Sequence, residues 1–280
     1  MLLNFLKLHR NTHQHPSYLK FVKGSIGMML HPEGTQSVFD MEEGLLKSKS
    51  TEELLRFTSK DPAVRVMIDE RYLQPIPDTE ALSKLPKDTL GYRYFYHLDS
   101  QGFDPDYYRK IDVQDDIDYV MMRIRQTHDI WHVITGFDTH PLGEIAIKAV
   151  ELAQTHRPMA AAICAGGVFR YMLKQPEQFG DCLDSIVAGY HMGLQAKSLL
   201  AMKWEELWDR NVEDLRERLG VEVMGPRGGQ LTVDFSPKSA AVANKEANAA
   251  ISEALQKFNQ ANPDAVNDDE PDLGDHHHPR

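Results

Sequence analysis

Cysteine is nearly missing: Cys164 and Cys182 are the two in 280 residues. They offer no disulfide framework and lack the paired spacing of a zinc ribbon, which fits a reducing compartment and two buried thiols. Positive charge is also short. Against 42 Asp and Glu the chain has 31 Lys and Arg, a formal net charge of -11. No basic stripe interleaved with aromatics breaks that balance, so nucleic acid is excluded as the main partner. No apolar run reaches the roughly 20 residues of a membrane-spanning helix, and neither the apolar region nor the small-residue cleavage site of a secretory signal is evident. The expected location is therefore cytoplasmic, or peripheral on the inner face of a membrane. Strand-like alternation is scarce too, confined to short pieces such as Gly91 to Leu98 and Val221 to Phe235.

What remains is amphipathic helical periodicity, dominant from about residue 51. The expected fold is mainly α, a single helical domain with little or no β. Residues 1–30 form a basic apolar segment, with Leu2, Leu3, Phe5, Leu6 and Leu8 beside Lys7, Arg10, Lys20 and Lys23, and no acidic residue occurs before Glu33. Such a segment suits either a lipid interface or packing on the protein's own core. Residues 31–225 are the helical core domain. Residues 226–261 form an extension with helix-forming composition from Ala240 to Phe258, able to dock on the core or on a second subunit. Residues 262–280 are acidic and poor in large apolar groups, which predicts a disordered tail.

One motif carries chemistry. His128-Asp129-Ile130-Trp131-His132 is followed, after eleven intervening residues, by Glu144. On a helix with His128 at zero, His132 falls at about 40°, Arg125 at about 60° and Asp129 at about 100°. Ile117, Val120, Met121, Ile124, Trp131 and Thr135 bracket the direction of His128, so the histidines point inward beside an apolar stripe. Ile130, Val133 and Ile134 make the far side apolar as well, which marks a central helix. Buried imidazoles and a carboxylate need partners, and a divalent cation would satisfy them together. Gly136 ends the helix, Asp138 or Thr139 is placed to cap the next one, and Pro141 falls in its first turn. Two antiparallel helices then bring Glu144 back beside His132 as a fourth ligand. The competing reading is a hydrogen-bonded histidine pair, with Glu144 paired to Lys148.

These residues resemble the signature of the coenzyme Q biosynthesis protein 4 family, in which HDxxH and a downstream Glu form the presumed metal site. The resemblance extends to Leu85-Pro86-Lys87-Asp88-Thr89-Leu90-Gly91 and Tyr94. It also takes in Pro105-Asp106, Arg109, Asp115-Asp116, Tyr119-Val120-Met121 and Arg123, then Pro158-Met159, Gly166-Gly167, Gly193, Ala196-Lys197 and Trp204-Glu205. It spans roughly residues 50 to 220. Arg71-Tyr72-Leu73-Gln74-Pro75, where the family carries an Arg-Pro pair, and an alanine-rich Ala160 to Met172 mark this chain as divergent.

The resemblance implies a polyprenylated quinone precursor as ligand and oxidative decarboxylation at ring carbon one, with His128, Asp129, His132 and Glu144 as the metal-binding and catalytic set. It implies zinc, with iron, manganese or magnesium as the other candidates. Gly166 and Gly167, faced by Gly189, Gly193 and Ala196, then become candidate walls of an apolar prenyl groove, although close helix packing is the default for such small residues. Arg125, Arg170, Lys174 and Lys197 are candidate cations for the headgroup, Arg125 equally a partner for Asp129. A non-catalytic scaffold that presents an isoprenoid lipid to quinone-biosynthesis enzymes, with a homodimer as one arrangement, is the first alternative. A zinc hydrolase built on the bare motif is the second.

Overall fold

The computed structural model describes residues 42–46 and 48–223, all within one compact unit. The N-terminal apolar segment, the Ala240 to Phe258 helix and the acidic tail lie outside the described residues. Helices α1 (Lys49–Thr58), α2 (Pro62–Glu70) and α3 (Thr79–Ser83) lead to α4 (Leu90–Gln101) and the long α5 (Asp116–Thr135). Next come α6 (Pro141–Thr155), α7 (Pro158–Lys174), a 3-10 turn at Pro176–Gln178 and α8 (Phe179–Gln195), then a second 3-10 turn at Trp204–Glu206 and α9 (Val212–Leu219). The mainly α expectation holds. Among the described residues there is no strand, and the isolated bridge pairs Thr89 with Asn211.

Local sequence explains most boundaries. Ser48, Asp61, Asp78, Thr89, Asp115 and Asn211 each accept a backbone N–H from the first turn that follows, satisfying donors that a helix start leaves free. Gly91 to Leu98, expected as strand-like, is instead the body of α4. Its alternating tyrosines imitate a two-residue period, but the buried positions are Gly91 and the trio Leu90, Tyr94 and Leu98, the trio four apart on one helical face. The Thr89 cap starts that helix, and the backbone N–H groups of Leu90 and Gly91 donate to the carbonyls of Arg210 and Trp208.

The core gathers around α5. Tyr119, Val120, Ile124, Ile130, Trp131 and Ile134 are at most 2% exposed, and the expected central helix is what the structure shows. Arg123, fully buried, holds Glu205 through two parallel contacts of 2.6 and 2.9 Å and also donates to the Met202 carbonyl. Trp204 beside it is buried and donates from Nε1 to Leu199 O at 3.1 Å. Trp131 and Trp204 are thus core residues rather than stacking platforms.

Helices α6 and α8 run in the same direction at very close range, with α7 between their ends in the chain. A methyl group placed on Gly189 would lie 2.1 Å from the carbonyl oxygen of Ala146, and one on Gly193 2.8 Å from that of Val150. One on Gly167 would meet Ile145 at 2.7 Å. Helix contact fills these positions, so Gly167, Gly189 and Gly193 follow the close-packing reading, and their own faces leave no room for a prenyl wall. Cys164 and Cys182 are free and buried, and burial pushes the Cys164 thiol up to about 12.

Gly189→Ala should therefore destabilise, although alanine is ordinarily the better helix former by up to about 1 kcal/mol. The new methyl strikes backbone, which cannot swing aside, and overpacking of this kind costs about 1–3 kcal/mol. A midpoint several degrees lower is expected in thermal unfolding. Gly180→Ala on the same helix, where an added methyl meets nothing within 4 Å, is the matched control and should be neutral or slightly stabilising.

Candidate metal centre

Helix α5 stops where Gly136 takes a left-handed conformation, φ 77°, with its N–H donating to His132 O. Arg216 of α9 secures that end: its guanidinium donates to the carbonyls of Ile134 at 2.8 Å and Val133 at 2.9 Å, satisfying acceptors that a helix end leaves free. The chain then enters α6 through Asp138, whose Oδ1 accepts the His140 N–H at 3.0 Å. The N-cap of α6 is His140, with Pro141 in the first turn. Neither Asp138 nor Thr139, the expected caps, holds that position.

The turn brings Glu144 beside His132. His132 Nε2 lies 3.2 Å from Glu144 Oε1, His128 Nε2 lies 3.5 Å from Glu144 Oε2, and the two Nε2 atoms are 3.3 Å apart. One donor atom from each of the three residues lies within 4.8 Å of the others, a spacing that one ion can span. His132 Nδ1 is 2.9 Å from the carbonyl oxygen of Phe137. A carbonyl only accepts, so Nδ1 carries the hydrogen and the Nε2 lone pair is left for the centre. The donor set fits a divalent cation: a proton on His132 Nε2 satisfies Glu144 alone, whereas a cation satisfies all three groups.

Charge follows the same geometry. Burial, the largest influence on each group, disfavours the ionised forms. At His132 the charge and hydrogen bond of Glu144, with the Phe137 carbonyl, outweigh it and raise the imidazole above its ordinary value. At His128 burial prevails, helped by the charge of Lys148, and the imidazole falls below its ordinary value. Glu144 is drawn well below the usual carboxylate range against its burial, by the charge of His132 and the hydrogen bonds of His128 and His132.

Asp129 is placed differently. Its carboxylate lies outside the three-residue cluster, with Oδ1 3.9 Å from Nε2 of His97 on α4. Arg125 meets neither Asp129 nor the cluster; it pairs with Glu42 at 2.8 Å and donates to the carbonyl of Arg109. Lys148 pairs with Glu151 at 2.8 Å rather than with Glu144. Gly166 and Arg170 are half-buried on α7, and Lys174 and Lys197 are exposed at helix ends. In the sequence His97 stands out only as a weak further ligand under a histidine-aspartate phosphohydrolase reading, and nothing marks the Phe137 carbonyl. The first comes from another helix, and the second is backbone.

Sequence reasoning also missed a buried ionic chain behind the centre. Lys148, one turn beyond Glu144, contacts Glu151; Glu151 meets Arg157; Arg157 meets Glu42 at 2.8 Å; and Glu42 meets Arg125. Apart from Lys148 these side chains are at most 6% exposed. The chain of ions ties the far end of α6 to the middle of α5, so the two helices run antiparallel with Glu144 and His132 at their joined ends.

Two imidazoles and one carboxylate thus converge in a helical domain, a cluster that could hold one divalent cation. The sequence profile of the coenzyme Q (ubiquinone) biosynthesis protein Coq4 matches residues 7–225, and the chain belongs to that family. A mitochondrial ubiquinone biosynthesis protein COQ4 from Eremothecium gossypii is 32% identical over 213 residues, 75% of this chain and 65% of the relative. The mitochondrial COQ4 homolog of Aedes aegypti is 35% identical over 147 residues, 52% of this chain and 53% of that one. The chain spans about half to two thirds of the length of the curated relatives it matches. A crystal structure from Nostoc punctiforme, of a chain named for ubiquinone biosynthesis, superposes with TM-score 0.68 at 34% identity, covering 75% of this chain and 99% of that one. Among the described residues no helix is long and apolar enough to cross a membrane.

The ionic chain sets a pH dependence. Burial raises the Glu151 carboxyl, but Arg157 and Lys148 outweigh it and bring it from 4.5 down to about 2. A depressed folded-state value contributes stability that is complete above about pH 4.5 and lost as pH falls toward 2, on the order of 3 kcal/mol. Urea unfolding across that window should show the loss in the native chain. Glu151→Gln should flatten it and should cost about 3 kcal/mol at pH 7, because buried Arg157 keeps only Glu42 as a charged partner and Lys148 loses its own.

Proposed function

We propose that this protein acts in ubiquinone biosynthesis, binding a polyprenylated quinone precursor beside a divalent cation and replacing a ring carboxylate by a hydroxyl in an oxidative decarboxylation. The convergence of His128, His132 and Glu144 on one point, in a chain of the Coq4 family, carries this reading. A cation held there would supply Lewis-acid binding of a carboxylate or phenolate oxygen, and iron or manganese would add access to dioxygen as oxidant where zinc would only polarise. The chain's own residues do the positioning. Phe137 fixes the His132 ring, His128 stays neutral and able to ligate, and Glu144 stays ionised.

A long apolar tail needs an apolar surface. Phe169, Met172 and Leu173 on α7, with Leu183, Val187, Tyr190 and Leu194 on α8, are each 38–66% exposed. Such a concentration of exposed apolar side chains supports a binding face there. It supports isoprenoid binding along the outside of the α7–α8 pair and, by the same chemistry, peripheral contact with a membrane. The scaffold reading uses the same face to present the lipid to other quinone-biosynthesis enzymes.

Native mass spectrometry of the purified full chain, with metal analysis and lipid extraction, is expected to find one divalent cation per chain and an isoprenoid. Glu144→Gln should weaken cation affinity by roughly a hundredfold or more, since losing even an outer partner of a ligand costs about 10–100-fold. An enzyme would lose turnover in this variant and keep its lipid; a scaffold would keep its pathway output unless partner binding fell. Recovery of neither cation nor isoprenoid from the native chain would sink the proposal.

A further inference from the structure

Helix α8 has two packing faces, and among the described residues one of them is covered. Cys182, Ser185, Gly189, Met192 and Gly193 are buried, with Gly189 and Gly193 against the backbone of α6. Leu183, Val187, Tyr190 and Leu194 point the other way and are 40, 66, 38 and 61% exposed. A surface helix ordinarily turns polar groups outward, whereas this one shows solvent its large apolar side chains.

The four follow one another at steps of four, three and four, the alternation of a coiled-coil seam. With Leu183 at zero, Val187 falls at about 40°, Tyr190 at about -20° and Leu194 at about 20°, a narrow stripe about 16 Å long. No charged residue interrupts it. The edge beside it carries Asp184 at about 100° and His191 at about 80°. The stripe is also its own complement. Turned end over end about its midpoint, between Ala188 and Gly189, it sets Leu183 against Leu194 and Val187 against Tyr190. The same rotation brings Asp184 of each helix to the edge where the other has His191.

We propose that α8 pairs with α8 of a second copy of this chain, antiparallel about a two-fold axis, with this stripe as the seam. Two other occupants fit less well. A helix lying in a lipid interface carries Lys and Arg on its polar face, and α8 has neither, while Asp181 and Asp184 supply negative charge. An isoprenoid tail has Phe169, Met172 and Leu173 of α7, which stand outside the stripe and are 52, 45 and 65% exposed. The pairing therefore depends on neither the cation nor the lipid. The contact is small. A seam from one helix pair covers less than the roughly 800 Å² per partner of a standard interface, so the dimer is reversible and dissociates in the micromolar range.

Analytical ultracentrifugation of the full chain from about 1 to 100 μM should show the mass rise from one copy toward two. Val187→Glu and Leu194→Glu should each hold the chain monomeric throughout, because pairing would bury a carboxylate in the seam. Both sites are exposed in the single copy, so circular dichroism and the thermal midpoint should match the native chain. Leu173→Glu, equally exposed but on α7, should still dimerise. His191→Asp should weaken the dimer several-fold by facing carboxylates at both edges, and adding Asp184→His should restore it. A merely local effect of either residue would not be repaired by that exchange. A native chain that stays monomeric at the top of the range, a dimer that survives Val187→Glu, or one that Leu173→Glu abolishes equally would overturn the pairing. A monomeric native chain that sediments with vesicles of phosphatidylcholine and phosphatidylglycerol, and ceases to as Val187→Glu, would give the stripe to a lipid surface instead.

Discussion

The end of α5 has to satisfy two demands that ordinarily conflict. From Ile130 to Thr135 that helix is buried on all sides, yet it carries imidazoles and ends in carbonyls that need hydrogen bonds. The structure meets the demand with a short set of contacts: His132 Nδ1 to the Phe137 carbonyl, Arg216 to the carbonyls of Val133 and Ile134, and the left-handed Gly136 that lets the chain turn. A side chain at Gly136 would be strained by its backbone angle and would strike Val223. Everything downstream depends on that turn, because its direction determines that Glu144 meets His132 and that α6 runs back along α5.

The ionic chain and the glycine contacts hold the returning helix from opposite sides. On one, Arg157 and Glu42 link Glu151 to Arg125, and a buried cluster of this kind restricts register more than it adds stability, since desolvation offsets most of its attraction. On the other, Gly189 and Gly193 let α8 lie against the backbone of α6. The outer faces of α7 and α8 are then left apolar and exposed. Small residues therefore serve the fold directly: they bring α6 and α8 close, and the large apolar side chains beyond them stand exposed on α7 and α8.

Residues whose partners lie within a few turns were legible in the sequence. The HDxxH spacing, the stop at Gly136, the Pro141 start and the return of Glu144 are all local, and the apolar residues around Trp131 gave the central helix. Long-range pairings were not. Arg125 is as close to Asp129 on the helical wheel as to any cation site, and only the fold reveals Glu42, 83 positions away, as its partner. The tyrosines of α4 misled because alternation over eight residues is too short to separate a helical period from an extended one when a Thr cap and four buried positions decide the outcome.

The aspartate of the motif shows why adjacency in sequence is not adjacency at a site. Neighbouring residues on a helix diverge by about 100°, so His128 and Asp129 cannot share a direction unless one side chain bends back. His132, four residues on, returns to the direction of His128 and meets the same carboxylate. Asp129 instead looks toward α4, where burial raises its carboxyl but the imidazole of His97, ahead of those of His128 and His132, brings it below the usual range. Along the helix the signature's side chains thus leave on two sides, His128 and His132 toward Glu144 of α6 and Asp129 toward His97 of α4.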